Sequence, residues 1–233
     1  MAYEQTSFKQ EQLKNSRVRT AYAEKWAAIK KVLRQQEIDT SAFEVAICCF
    51  KKENQLEVWI KSKQSNEFKF KMTYAICAQS GGPGPKRTQG DGQVPEGFYH
   101  VRVFNPYSNF YLSLGINYPN TSDKILGKGK NLGGDIMIHG NCVTIGCIPL
   151  TDDKIKEVYV LAVEAHNSGQ KEIPVFIFPN RMDSDGMKWL AAQTKDGQQI
   201  AFWNNLHSGY EFFEKNRKLP VVSVEKNGKY DFR

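Results

Sequence analysis

An α+β fold is predicted, with a mostly β body and helices at both ends, and three observations predict it. Runs rich in Val, Ile, Phe, Trp and Tyr recur from Phe43 to Phe178 with turn residues between them, which is how strands read. An N-terminal segment repeats apolar residues every three to five positions, and a C-terminal one carries aromatics at helical spacing. No internal repeat, low-complexity tract or linker breaks the 233 residues, a length that can bury a sizeable core. The expected division is a helical segment over 1–40, a body over 41–180 and a helical extension with a terminal hairpin over 181–233.

In the first segment Leu13, Val18, Tyr22, Trp26, Ile29 and Leu33 form one apolar face, so a helix is predicted from Phe8 to Gln36. Its face is that of a core-facing helix and not of a membrane-binding one. Phe43 to Phe50, Leu56 to Lys61 and Phe68 to Ala78 read as an antiparallel meander. Ser80 to Gly97 is a Gly/Pro-rich loop too long for a hairpin connection, and it is expected to wall a cleft. It is no P-loop, because Pro85 and not Gly precedes Lys86 and no helical pattern follows.

Phe98 to Phe104 and Phe110 to Leu114 resume the sheet, and Asn117 to Gly134 reads as a mobile cover. Thr151 can cap a helix with Asp152 and Asp153 in its first turn, ending near Ser168-Gly169. Ile173 to Phe178 is a buried strand. Met187 to Ala192 and Ile200 to Lys215 are helical, and the Phe202, Trp203, Leu206, Tyr210 and Phe213 stripe is core-like. Val221 to Tyr230 closes as a hairpin turning at Asn227-Gly228.

The chemistry concentrates in Gly133 to Leu150. An apolar run, Ile136-Met137-Ile138, ends in His139-Gly140, and a short polar loop delivers Thr144-Ile145-Gly146-Cys147. A sulfur nucleophile needs a nearby base and backbone N–H groups for the oxyanion. His139 can be that base, and Gly146 frees the backbone before Cys147. The bland alternative makes Cys147 a small buried hydrophobe and His139 a satisfied core group, but the glycines beside both have no packing reason obvious in the sequence. A zinc site of His139, Cys142, Cys147 and Cys77 lacks the two compact ligand pairs of structural zinc, so neither metal nor cofactor is expected.

At these residues the sequence resembles the L,D-transpeptidase (YkuD-type) family, most closely its YafK-like branch. Ser80-Gly81-Gly82-Pro83-Gly84-Pro85-Lys86, Gly90-Asp91-Gly92-Gln93-Val94-Pro95-Glu96-Gly97, Phe104-Asn105-Pro106 and Leu112 to Asn120 match that branch too. The resemblance implies an L,D-transpeptidase-like body and a Cys147 thioester formed at the L-centre carbonyl of a meso-diaminopimelate-type residue in peptidoglycan stem peptides. It implies His139 as base, oriented by the Gly140 carbonyl, and Gly146 and Cys147 amides as oxyanion donors. Lys86, Asp91, Thr144 and Asn117, in the matching segments, are the expected substrate-binding residues, Thr144 more for loop shape than for chemistry.

Two departures bear on the reaction. Ile145 stands where the family has a second His, and Pro149 where many relatives have a polar residue. In the branch the same apparatus is associated with an amidase that detaches covalently bound protein from peptidoglycan, so cross-linking and hydrolysis both stay open. A non-catalytic envelope-binding module is a third reading, disfavoured because it could dispense with His139 and Cys147.

Bulk properties bound the partners. A composition of 40% hydrophobic and 24% charged residues reads as globular, and no apolar run of about eighteen residues exists. The net charge of +7 favours an anionic partner, yet the basic residues are dispersed, as in Lys51-Lys52 and Lys128-Gly129-Lys130, so no nucleic acid is expected. Met1 to Gln5 lacks the basic and apolar regions of a signal peptide, which leaves a cytoplasmic protein or a mature form with an added start codon. The family resemblance implies the periplasm or cell envelope. Of five cysteines, adjacent Cys48 and Cys49 should face opposite ways, and a Cys77–Cys142 bridge is open in an oxidising compartment.

Overall fold

The computed structural model describes residues 6–233, so the reading of Met1 to Gln5 lies outside the described residues. Its eight-stranded sheet is built from β1 (Phe43–Phe50), β2 (Gln55–Ser62), β3 (Phe70–Ala75), β4 (Gly97–Asn105), β5 (Ser113–Ile116), β6 (Met137–His139), β7 (Ile148–Pro149) and β8 (Pro174–Phe178). The spatial order is β3-β2-β1-β8-β4-β5-β6-β7. The first three strands form the expected antiparallel meander, and β8 then inserts parallel to β1 and antiparallel to β4.

β1 is buried on both faces, which is why it reads as a continuous apolar run. Alternation sends Val45, Ile47 and Cys49 to one core and Ala46, Cys48 and Phe50 to the other, so the two adjacent thiols do face apart. The first core lies under the N-terminal helices and α5 (Asp152–Asn167). The second lies under α6 (Ser184–Gln193), α7 (Gly197–Asn216) and the hairpin of β9 (Val222–Val224) and β10 (Tyr230–Phe232), with the aromatic stripe of α7 inside it.

Two expectations need correcting. The single N-terminal helix is instead α1 (Phe8–Gln12), α2 (Ser16–Ala21), a π turn (Tyr22–Trp26) and α3 (Ala27–Gln35). The break falls where the apolar spacing stretches from Leu13 to Val18, and the Asn15 side chain restarts the helix by accepting from Arg17 N at 2.8 Å. The supposed mobile cover is pinned. It contains α4 (Thr121–Leu126), where Asp123 pairs with Arg87 at 2.7 Å, Ser122 donates to Gly228 O at 2.6 Å, and Asn120 donates to Phe98 O and Tyr230 Oη. Asn120, Ser122 and Asp123 are all buried, so satisfying them fixes the segment in place.

Candidate active site

β6 and β7 run parallel, with Ile138 opposite Ile148 and His139 opposite Pro149. Ile138 and Ile148 are both core residues, and alternation along β6 puts Met137 and His139 on its other face. Cys147 lies in the bend just before β7, with its sulfur in hydrogen-bond reach of the Met137 N–H. The short ladder therefore sets the strand that carries His139 beside the bend that carries Cys147, while His139 is not among the residues lining the cavity at Cys147.

His139 is 1% exposed, and its Nδ1 lies in hydrogen-bond contact with the Gly140 carbonyl. A carbonyl has no proton to give, so Nδ1 carries the hydrogen and Nε2 keeps its lone pair. The Phe110 ring lies over the imidazole, with centroids 4.6 Å apart and planes at 30°. The peptide that follows His139 is held at both ends as well: Leu150 N donates to His139 O at 2.7 Å, and Gly140 N donates to Leu112 O at 3.1 Å. Burial pulls the imidazole below the usual His range, against the smaller opposite pull of the Gly140 carbonyl.

Cys147 is partly exposed and fronts a cavity of about 240 Å³. Ser80 to Pro83 and Val94 from the long loop form one wall, Lys51 and Lys52 another, and Trp189 of α6 closes one side. Its Sγ contacts Asp135 O at 3.7 Å. Burial pushes the thiol up; the Met137 N–H and Lys86 pull it down, and Asp135 adds to the rise. Burial thus favours the neutral form of both groups, which suits proton removal during attack and not a standing thiolate.

Gly146 has φ of 138°, and a Cβ there would come within 2.9 Å of Gln93 O, so only glycine lets the turn pass the long loop. Its N–H donates to Thr144 Oγ1 at 3.0 Å, and Thr144 Oγ1 donates to Cys147 O at 2.8 Å. Thr144 thus shapes the turn that carries Cys147, and it occupies the Gly146 amide, the expected oxyanion donor.

That geometry can be set beside known proteins. The YkuD model, described as the L,D-transpeptidase catalytic domain, matches residues 44–177. An Escherichia coli protein named "Putative L,D-transpeptidase YafK" is 38% identical over 205 residues, covering 87% of this chain and 78% of that protein. The chain belongs to the YkuD L,D-transpeptidase family. Solved structures with weaker likeness include the helical cell shape determining protein Pgp2 of Campylobacter jejuni, with 19% identity, TM-score 0.45, and 79% and 74% of the two chains covered. Bd1075 of Bdellovibrio bacteriovorus follows at 18% identity and TM-score 0.44, with 78% and 77% covered.

The other expected site residues of this family member are placed less uniformly. Lys86 is 5% exposed and donates to Asp91 Oδ1 at 2.7 Å and Thr88 O at 2.9 Å. Burial raises the Asp91 carboxyl, but Lys86 and the N–H groups of Arg87, Gln93 and Thr88 outweigh it and hold it below the usual carboxylate range. The pair clamps the long loop from inside. Asn117 sits elsewhere: its Oδ1 accepts from His100 N at 2.9 Å, and it lines a separate groove with Arg102, Lys124 and Leu219. Ile145, at the position of the absent second His, is 88% exposed.

Sequence reasoning missed Phe110 and Trp189. Phe110 is held over His139 by the N-terminal segment, because Arg17 Nη1 donates to Ser108 O at 2.6 Å and Tyr111 O at 2.7 Å. Nothing local in the sequence marks such a contact.

Cys77 and Cys142 form a disulfide. It takes two thiols from the zinc set, leaving His139 and Cys147 alone, and among the described residues no group of metal-binding side chains gathers. Cys77 N also donates to Pro149 O at 3.0 Å, so the bridge ties the loop before Cys147 to the segment that continues into the cavity wall. It closes a loop across 65 residues, worth about 4 kcal/mol in the chain-entropy account. Cys77→Ser/Cys142→Ser is expected to lose about 2–4 kcal/mol of unfolding free energy in urea titration, and an unchanged midpoint would contradict it.

With Cys48 and Cys49 buried and two cysteines bridged, Cys147 is the one accessible thiol. Iodoacetamide should give a single adduct by mass spectrometry. Because burial raises this thiol, labelling should be slow at neutral pH and still climbing past 9.0, the ordinary thiol value. A rate that levels off near neutrality would show a standing thiolate instead.

Proposed function

We propose that the chain is a peptidoglycan-active cysteine acyl-transfer enzyme. The observation that carries this reading is Cys147 at the mouth of a cavity, in the bend beside the strand that carries a buried His139 whose Nδ1 is committed to the Gly140 carbonyl. Nε2 of His139 takes the thiol proton as sulfur attacks the L-centre carbonyl of a meso-diaminopimelate-type residue. The proton then goes to the leaving amine, and a thioester remains. The Cys147 amide serves the oxyanion, joined by the Gly146 amide if substrate draws it from Thr144. Lys86 and Asp91 brace the wall that receives the stem peptide, and Lys86 adds positive field near the sulfur. Asn117 would reach substrate only along the separate groove.

An amine acceptor completes transfer, and water completes hydrolysis that frees peptidoglycan-linked protein. Hydrolysis is kept as the second reading because Cys147 is partly exposed, which gives water a route to the thioester. The envelope or periplasm is the proposed location, consistent with a disulfide that persists under oxidising conditions. Among the described residues no helix is long and apolar enough to cross a membrane.

The test is mass spectrometry of defined muropeptides, with and without a protein joined to the stem peptide, incubated with wild type and Cys147→Ala. Cross-linked dimers would establish transfer, and release of the joined protein would establish hydrolysis. Absence of any Cys147-dependent product would leave only the binding module.

A further inference from the structure

Beyond the cysteine, the histidine and the glycine carbonyl, one more side chain bears on the base. The Gly140–Asn141 peptide is held at both ends. Its carbonyl accepts from His139 Nδ1, and its N–H donates to Asp152 Oδ1 at 2.9 Å. A trans peptide is planar with C=O and N–H pointing opposite ways, so anchoring the N–H fixes the direction of the carbonyl.

The anchor itself is firm. Asp152 is the first residue of the 16-residue α5, whose Thr151 cap accepts from Lys154 N at 3.3 Å. The carboxylate comes so near the turn that a Cβ on Gly140 would lie 2.6 Å from Oδ1 and 2.9 Å from Phe110 O. Asn141 is held at φ of 64°, a left-handed conformation that tolerates Asn and that the Asp152 contact secures. Left without that contact, the turn could rotate and withdraw the carbonyl from the ring.

We infer that Asp152 is a positioning residue for the base: acting through the Asn141 N–H, it holds the Gly140 carbonyl against His139 and keeps Nε2 as the proton acceptor. This rests on the proposed role of His139 and adds a carboxylate one peptide removed from the imidazole. The Asp152 side chain is exposed, so its influence is geometric more than electrostatic, since solvent screens its charge. An uncharged acceptor of the same shape should then serve nearly as well.

The experiment uses the full chain, labelled with ¹⁵N, and long-range ¹H–¹⁵N correlation of the imidazoles at neutral pH. The sequence has four histidines, and His139 is assigned by its loss in His139→Gln. Wild type should show the Nδ1–H form. Asp152→Ala should show mixed tautomers and a kcat on muropeptides about ten- to a hundredfold lower, with KM little changed. Asp152→Asn, which keeps an acceptor oxygen, should restore both. Asp153→Ala, which removes the neighbouring acid of the same helical turn, should leave the His139 signals as in wild type.

Retention of the Nδ1–H form and of full kcat in Asp152→Ala would overturn the inference, as would equal disturbance by Asp153→Ala. The tautomer readout needs no turnover. If wild type were inactive on every muropeptide and Asp152→Ala still lost the Nδ1–H form, the proposed function would fail while the positioning role stood.

Discussion

Cys147→Ala is expected to lower turnover by on the order of 10⁵- to 10⁶-fold, because the other cysteine lining the cavity, Cys49, is 1% exposed and its thiol is pushed up by burial. Cys48 and Cys49 are buried in the two cores, and Cys77 and Cys142 are bound to each other, so no thiol can substitute. Stability should hardly move. The sulfur is partly exposed, and its contact with Asp135 O, at 3.7 Å, is a weak one. The adjoining turn is held by Thr144 and by the close pass of Gly146 against Gln93, neither of which involves the sulfur. An unfolding free energy within about 1 kcal/mol of wild type is expected, read by urea titration alongside the muropeptide assay. Activity retained by this variant would remove the acyl-enzyme mechanism altogether.

The largest expected loss of stability is at Glu96, which is completely buried. Its Oε1 accepts from Lys51 Nζ at 2.8 Å and from Gly84 N at 2.9 Å, and its Oε2 accepts from Trp203 Nε1 at 2.9 Å. One carboxylate thus joins the end of β1, the long loop and α7. Glu96→Ala would leave a nearly buried ammonium, an indole N–H and a backbone N–H short of their acceptor. Removing one partner of a buried pair typically costs about 3–5 kcal/mol. Lys51 also donates to Gly84 O at 2.8 Å and Val94 O at 3.0 Å, which cannot replace the lost charge. Equilibrium unfolding in urea should show that loss as a lower midpoint at similar slope, and a cost under about 1 kcal/mol would mean the loop re-forms around Lys51 without its carboxylate. Gly81, Gly82 and Val94 line the Cys147 cavity, so the same variant should raise KM more than it lowers kcat.

What the sequence by itself determined is the local part of this protein. The apolar run of β1, the Thr151 cap of α5 and the aromatic stripe of α7 depend on neighbours a few positions away, and each was legible. The candidates His139, Gly140, Gly146 and Cys147 could be named together for the same reason, since one short loop joins the strand that carries His139 to the bend that carries Cys147.

Only the tertiary structure decided which distant groups satisfy one another. Arg17 pins the loop that lays Phe110 on His139 from 91 and 94 residues away, Arg87 fixes α4 through Asp123 from 36 away, and Cys77 reaches Cys142 across 65. Lys86 and Asp91 look like a free cation and a free carboxylate in the sequence, yet in the fold each is spent on the other. A buried polar group must find a partner, but its identity is set by which chain segments the two cores press together, and no periodicity in the sequence encodes that.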